Sequence, residues 1–154
     1  MTNPFDKPPV PKTPGDKIEN REKLKPRVLI ADDYPGIREV SMALFTAYGY
    51  EVTLVEDGEE LINEIKSGKY KYDLIITDNN MPKMSGLEAL RILQDDPRFK
   101  DIPTIVVSGA VAGEEQQDRE EARKVGATYI SKPADNDTLV QTAQKLIEER
   151  KQRG

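Results

Sequence analysis

The chain has 154 residues, a net charge of −5 and 33% charged side chains, a length that suits one domain with a sizeable core. It has no cysteine and no histidine, which excludes disulfides, thiolate metal sites and a histidine base and favours oxygen-ligated magnesium, calcium or manganese over zinc. The acidic balance argues against direct nucleic-acid binding, and the absence of a long apolar run or apolar leader argues against membrane insertion and for a cytoplasmic protein.

Residues 1–25 read as a disordered or extended arm. Six of the eleven prolines fall within the first 26 residues, mixed with charges and without apolar periodicity. The segment Pro8-Pro9-Val10-Pro11 suits either a partner-binding extended stretch or a solvated leader. Residues 26–150 are expected to form one domain, with 151–154 as a short tail.

From Arg27 onward, short strands alternate with helices. Strands are predicted at about 27–31, 51–55, 73–77, 103–107 and 127–130. The near-continuous apolar runs of the first, third and fourth suggest burial on both faces of a parallel sheet. The second alternates and is expected at an edge. The first helix begins near Pro35, which suits a first helical turn, and presents Ile37, Val40, Ser41, Leu44 and Phe45. The second, about 58–66, presents Leu61, Ile62 and Ile65. The third follows Ser85-Gly86 and aligns Leu87, Leu90 and Leu93. The fourth, about 114–125, is highly charged over a thin apolar stripe of Ala122 and Val125, and its charged face reads as a partner surface or a solvated one. The fifth, about 135–150, aligns Leu139, Ala143, Leu146 and Ile147. Gly49, Gly68 and Gly126 stand where helices should stop. Five such units imply a doubly wound α/β three-layer sandwich, with its ligand site at the carboxyl ends of the strands.

Polar groups collect at those ends. Leu29-Ile30-Ala31 runs into Asp32-Asp33, and Leu74-Ile75-Ile76-Thr77 into Asp78. Ile105-Val106-Val107 runs into Ser108, and Tyr129-Ile130-Ser131 into Lys132-Pro133. Singly, these are ordinary turns, caps or surface residues; together they define one pocket. Each pair of carboxylates about 4 Å apart costs roughly 4 kcal/mol at an effective dielectric near 20. Magnesium would relieve that repulsion, and Asn80 could add a backbone carbonyl. Lys132 and Ser108 would bind oxygens of a phosphoryl group, and Asp78 would be its nucleophilic acceptor. The peptide before Pro133 can be cis or trans, with trans the default; a cis bond would fix a sharp turn and aim the Lys132 ammonium into the cleft.

These motifs resemble those of the receiver domains of bacterial two-component response regulators, similar in plan to the stand-alone chemotaxis-type regulators. The resemblance covers about residues 26–149. It rests on Asp32-Asp33, on Asp78 followed by Met81-Pro82 and Gly86, on Ser108-Gly109-Ala110 and on Lys132-Pro133. It implies a five-stranded parallel sheet of order 2-1-3-4-5, the flavodoxin-like arrangement. It also implies Asp78 as phospho-acceptor and Asp32, Asp33, Asp78 and the Asn80 carbonyl around magnesium, with manganese as a substitute. Ser108 becomes a switch hydroxyl, Lys132 a phosphate-binding lysine and Tyr129 a switch aromatic. The implied donor is a histidine kinase or phosphotransfer protein. The implied output is a protein partner at the surface of the fourth helix, fifth strand and fifth helix. The expected function is thus a single-domain signalling switch rather than an enzyme with an external substrate. The alternatives are a receiver excised from a hybrid kinase or phosphorelay protein, an aspartyl-nucleophile phosphatase, and a phosphorylation-independent binding module. The phosphatase needs an acid two residues after the nucleophile, and Asn80 cannot protonate a leaving group.

Overall fold

The computed structural model describes residues 25–153; all but the last residue of the expected arm lies outside that range. Strands β1 (Arg27–Ala31), β2 (Glu51–Val55), β3 (Leu74–Asp78), β4 (Thr104–Ser108) and β5 (Thr128–Ser131) alternate with helices α1 (Pro35–Ala47), α2 (Gly58–Lys66), α3 (Gly86–Gln94), α4 (Glu115–Lys124) and α5 (Asn136–Arg153). The strands form one parallel sheet in the order β2-β1-β3-β4-β5. This is the flavodoxin-like arrangement that the resemblance implies, with the strand order changing direction at β1 and β3.

Side-chain alternation along the strands divides the core into two layers. Leu29, Ile75 and Val106 point to one face, where they meet Leu61 and Ile65 of α2, Leu87, Leu90 and Leu93 of α3, and Ala122 of α4. Val28, Ile30, Leu74, Ile76 and Ile105 point to the other face, toward Phe45 of α1 and Val140, Ala143 and Ile147 of α5. Phe45 and Tyr50 meet edge to face there, with ring centroids 5.1 Å apart. At roughly 1.5–3 kcal/mol per fully buried large aliphatic or aromatic side chain, these two layers supply the main driving force for folding.

Local chemistry sets the helix ends. Ser85 and Glu88 form a capping box at the start of α3, and Asp57 accepts the Glu60 amide at the start of α2; each cap contributes about 1 kcal/mol. Gly49, Gly68 and Gly126 take positive φ at the predicted stops.

Four details depart from the sequence expectation. β3, β4 and β5 each begin and end one residue later than predicted, so Asp78 and Ser108 are the last residues of their strands. α5 continues through Arg153, which places most of the expected tail inside the helix. α1 buries only Phe45 of its apolar face: Ile37 is 51% and Val40 58% exposed. The first half of α1 borders the open pocket beside Asp32 rather than the closed core. Finally, the Lys132–Pro133 peptide is cis.

Gly86 shows how closely α3 meets the end of β3. A Cβ at this position would lie 2.4 Å from the Asp78 carbonyl oxygen and 2.9 Å from Thr77. Gly86→Ala should therefore destabilise the protein by about 1–3 kcal/mol through overpacking. Gly36→Ala in α1, where the new methyl meets nothing within 4 Å, should be neutral or stabilising by up to about 1 kcal/mol. Urea unfolding of the two variants provides the comparison.

Candidate functional site

The register of the sheet brings distant residues together at its carboxyl edge. Ala31 pairs with Thr77, so Asp32 and Asp78 emerge side by side. Asp78 pairs with Val107, one residue short of Ser108, and Ser108 pairs with Ser131, one residue short of Lys132. Asp32, Asp33 and Asp78 each offer a carboxylate oxygen within 4.8 Å of the others. Asp32 and Asp78 are buried and Asp33 is exposed. Lys132 Nζ donates to Asp78 Oδ2 at 3.0 Å, and the Asn80 amide donates to Asp78 Oδ1 at 3.2 Å.

Burial is the main cause holding the Asp32 carboxyl above its ordinary pKa; the amide of Tyr34, which donates to it at 2.9 Å, opposes the shift, and the nearby charge of Asp78 reinforces it. Three carboxylates faced by one contacting ammonium, all hard oxygen donors, fit a divalent cation of the magnesium or manganese type.

Residues whose structural roles the sequence did not disclose hold this edge in place. Arg38 Nη1 donates to the Asp32 carbonyl at 2.7 Å, and Nη2 reaches Glu56 at 3.2 Å, tying α1 to the acidic loop. Asn79 is buried and structural. Its side-chain oxygen accepts the Leu87 amide at 3.0 Å, and its backbone amide continues the β3–β4 ladder to the Val107 carbonyl. Neither residue belongs to a periodic pattern, and only the tertiary contact reveals its role.

Ser108 is buried, and its hydroxyl donates to Asp118 Oδ2 on α4 at 3.2 Å rather than to Asp78. Here a signal was available in the sequence. Asp118 precedes Ala122 by four residues and Val125 by seven, which places an acid on the inward stripe of α4. Tyr129 is half-buried and packs against the α2–α4 layer. Its hydroxyl is buried and has no hydrogen-bond partner among the described residues, while the Arg119 guanidinium lies 4.6 Å from the ring centroid. The structure thus gathers Asp32, Asp33, Asp78, Asn80 and Lys132 at one edge of the sheet, with Ser108 and Tyr129 toward α4.

A doubly wound parallel sheet with an acidic pocket at its carboxyl edge defines an α/β domain of the receiver type. The chain belongs to the response regulator receiver domain family, whose model matches residues 28–144. It is 34% identical over 115 residues to the 3',5'-cyclic-nucleotide phosphodiesterase regA of Dictyostelium discoideum, covering 75% of this chain but spanning only 14% of that protein's length. It is 28% identical to the chemotaxis protein CheY of Pseudomonas aeruginosa, covering 79% of this chain and 96% of that protein. The solved structure of the chemotaxis response regulator CheY4 of Vibrio cholerae superposes with a TM-score of 0.69 at 30% identity, covering 79% of this chain and 98% of that one. No helix among the described residues is long and apolar enough to cross a membrane.

The raised pKa of Asp32 gives the cluster a pH signature. A cation needs the deprotonated carboxylate, and protons begin to compete at a higher pH than they would for an ordinary aspartate. Magnesium affinity, measured by titration calorimetry, should therefore fall as the pH is lowered through the acidic range, and begin to fall at a higher pH than ordinary aspartates would allow. Asp32→Asn should weaken binding and flatten that dependence. Equal affinity across the range would remove Asp32 from the ligand set.

Proposed function

We propose that this receiver domain is a magnesium-dependent phospho-acceptor switch, with Asp78 as the residue phosphorylated. The observation that carries the reading is the meeting of Asp78 with both an acidic cluster and the Lys132 ammonium at 3.0 Å. A nucleophilic carboxylate attacking a phosphoryl group needs a cation on each side: one to neutralise the oxygens of the incoming group and one to relieve repulsion among the carboxylates.

In this reading the donor is a phosphohistidine on a histidine kinase or phosphotransfer protein. An Asp78 carboxylate oxygen forms a bond to phosphorus as the phosphorus–nitrogen bond breaks, and the imidazole leaves with the electron pair. Asp32, Asp33, Asp78 and the Asn80 carbonyl would hold magnesium, which when bound supplies charge neutralisation for the phosphoryl oxygens. Lys132 stays with one phosphoryl oxygen, and Ser108 turns to donate to another. Tyr129 follows the vacated space, and the surface formed by α4, β5 and α5 presents the changed state to a protein partner. The domain acts as a cytoplasmic switch, with phosphotransfer and dephosphorylation occurring on its own side chain. The first reading is a stand-alone regulator, the setting of the chemotaxis relative. The short span of the phosphodiesterase relative keeps a larger parent protein as the second reading.

Incubation with magnesium and a small phosphodonor such as acetyl phosphate should add one phosphoryl group, seen by intact-protein mass spectrometry. Asp78→Asn should abolish that addition, and undiminished labelling would refute the assignment. Lys132→Ala should slow it by about 10²–10³-fold, as expected for the loss of one preorganised charge.

The exposed apolar residues Ile37 and Val40 line the cavity that also holds Asp78 and Lys132. They support approach of the donor protein along α1. Ile37→Asp should reduce transfer from a phosphorylated donor protein by about tenfold or more while leaving labelling by the small phosphodonor intact. An equal loss with both donors would place the effect in the pocket instead.

A further inference from the structure

Side chains of α4 reach back to the ends of β4 and β5. Asp118 accepts the Ser108 hydroxyl at 3.2 Å. Glu115 accepts from the Ser131 hydroxyl, and Arg119 Nη2 donates to that same Ser131 oxygen at 3.1 Å while its guanidinium covers the Tyr129 ring. Ser131 is the ladder partner of Ser108. The charged helix is therefore attached to the two strands on which the switch residues sit. Its apolar attachment is thin, with Ala122 as its one buried residue and Val125 following at the cap.

A serine hydroxyl has a single proton to donate. Ser108 can give it to Asp118 or to a phosphoryl oxygen on Asp78, but not to both at once. Ser108 is only 1% exposed, so bulk water does not easily replace whichever acceptor it leaves. We propose that Asp118 is a positioning residue that holds the Ser108 hydroxyl on α4 in the resting protein, so that phosphoryl binding and α4 attachment compete for one proton. The inference rests on the reading of Ser108 as a phosphoryl ligand. It adds the element that opposes that role and assigns α4, through Asp118, as the helix released when the hydroxyl turns.

The test is a double-mutant cycle on Asp118 and Ser108. Beryllofluoride with magnesium, a non-transferable phosphoryl mimic, would be titrated into the wild type, Asp118→Ala, Asp118→Asn, Ser108→Ala and the Ser108→Ala/Asp118→Ala double variant. Binding would be followed through the backbone amide resonances of residues 108–131. Asp118→Ala should bind the mimic about tenfold more tightly than the wild type, the equivalent of one charge-assisted hydrogen bond no longer opposing it. Asp118→Asn keeps the shape and a weaker acceptor, so it should fall between the two and serves as the check should the alanine variant fold poorly. In the Ser108→Ala background, removing Asp118 should give no gain. Unchanged or weaker binding by both Asp118 variants, or a gain that persists without Ser108, would overturn the inference while leaving the phospho-acceptor reading intact. Failure of the wild type itself to bind the mimic would refute that reading and the inference with it.

Discussion

The parallel register around Thr77 decides where every polar group at the carboxyl edge can stand. Thr77 pairs with Ala31 on one side and Val106 on the other, and its own side chain is fully buried. A slip of one residue would turn Leu74 and Ile76 to the wrong layer and carry Asp78 away from Asp32. The two apolar layers enforce the register because each strand residue has partners on its own face only. Burial of aliphatic side chains thus fixes the spacing of the carboxylates, at a distance from them and without touching them.

The same register concentrates negative charge where the backbone offers little to offset it. Asp78 is placed between the carboxylates of Asp32 and Asp33 and the ammonium of Lys132, while the amides of Tyr34 and Asn80 satisfy individual oxygens. Burial makes the ionised form of Asp32 costly. Without a cation, charge and burial there oppose each other, a condition that suits a site whose occupancy changes during function.

Much of this was legible in the sequence because the informative residues follow short, nearly continuous apolar runs. Leu29-Ile30-Ala31 and Leu74-Ile75-Ile76 announce buried strands, and the acids that terminate them announce the pocket. The one-residue shift of β3, β4 and β5 arose because polar residues at strand ends, Asp78 and Ser108, still take part in the ladder. The exposure of Ile37 and Val40 could not be read from helical spacing, since spacing gives a face but not what lies opposite it. The roles of Arg38 and Asn79 were hidden for a related reason: they lie in contacts with the backbone of other elements, which leave no periodic trace. Asp118 was different. Its place on the stripe of Ala122 and Val125 marked it as inward, and the abundance of charge on the fourth helix concealed it.

The closeness of Gly86 to the Asp78 carbonyl has a mechanical consequence. On that side of the pocket, α3 is fastened by backbone contact, a capping box and three buried leucines, so a displacement at Asp78 meets a stiff wall. Beside it on the same face of the sheet, α4 is joined chiefly through polar side chains that can exchange partners. A disturbance at the acidic edge will spread along the softer direction. The molecule's compliance is lopsided, and a single glycine without room for a methyl group helps to set its direction.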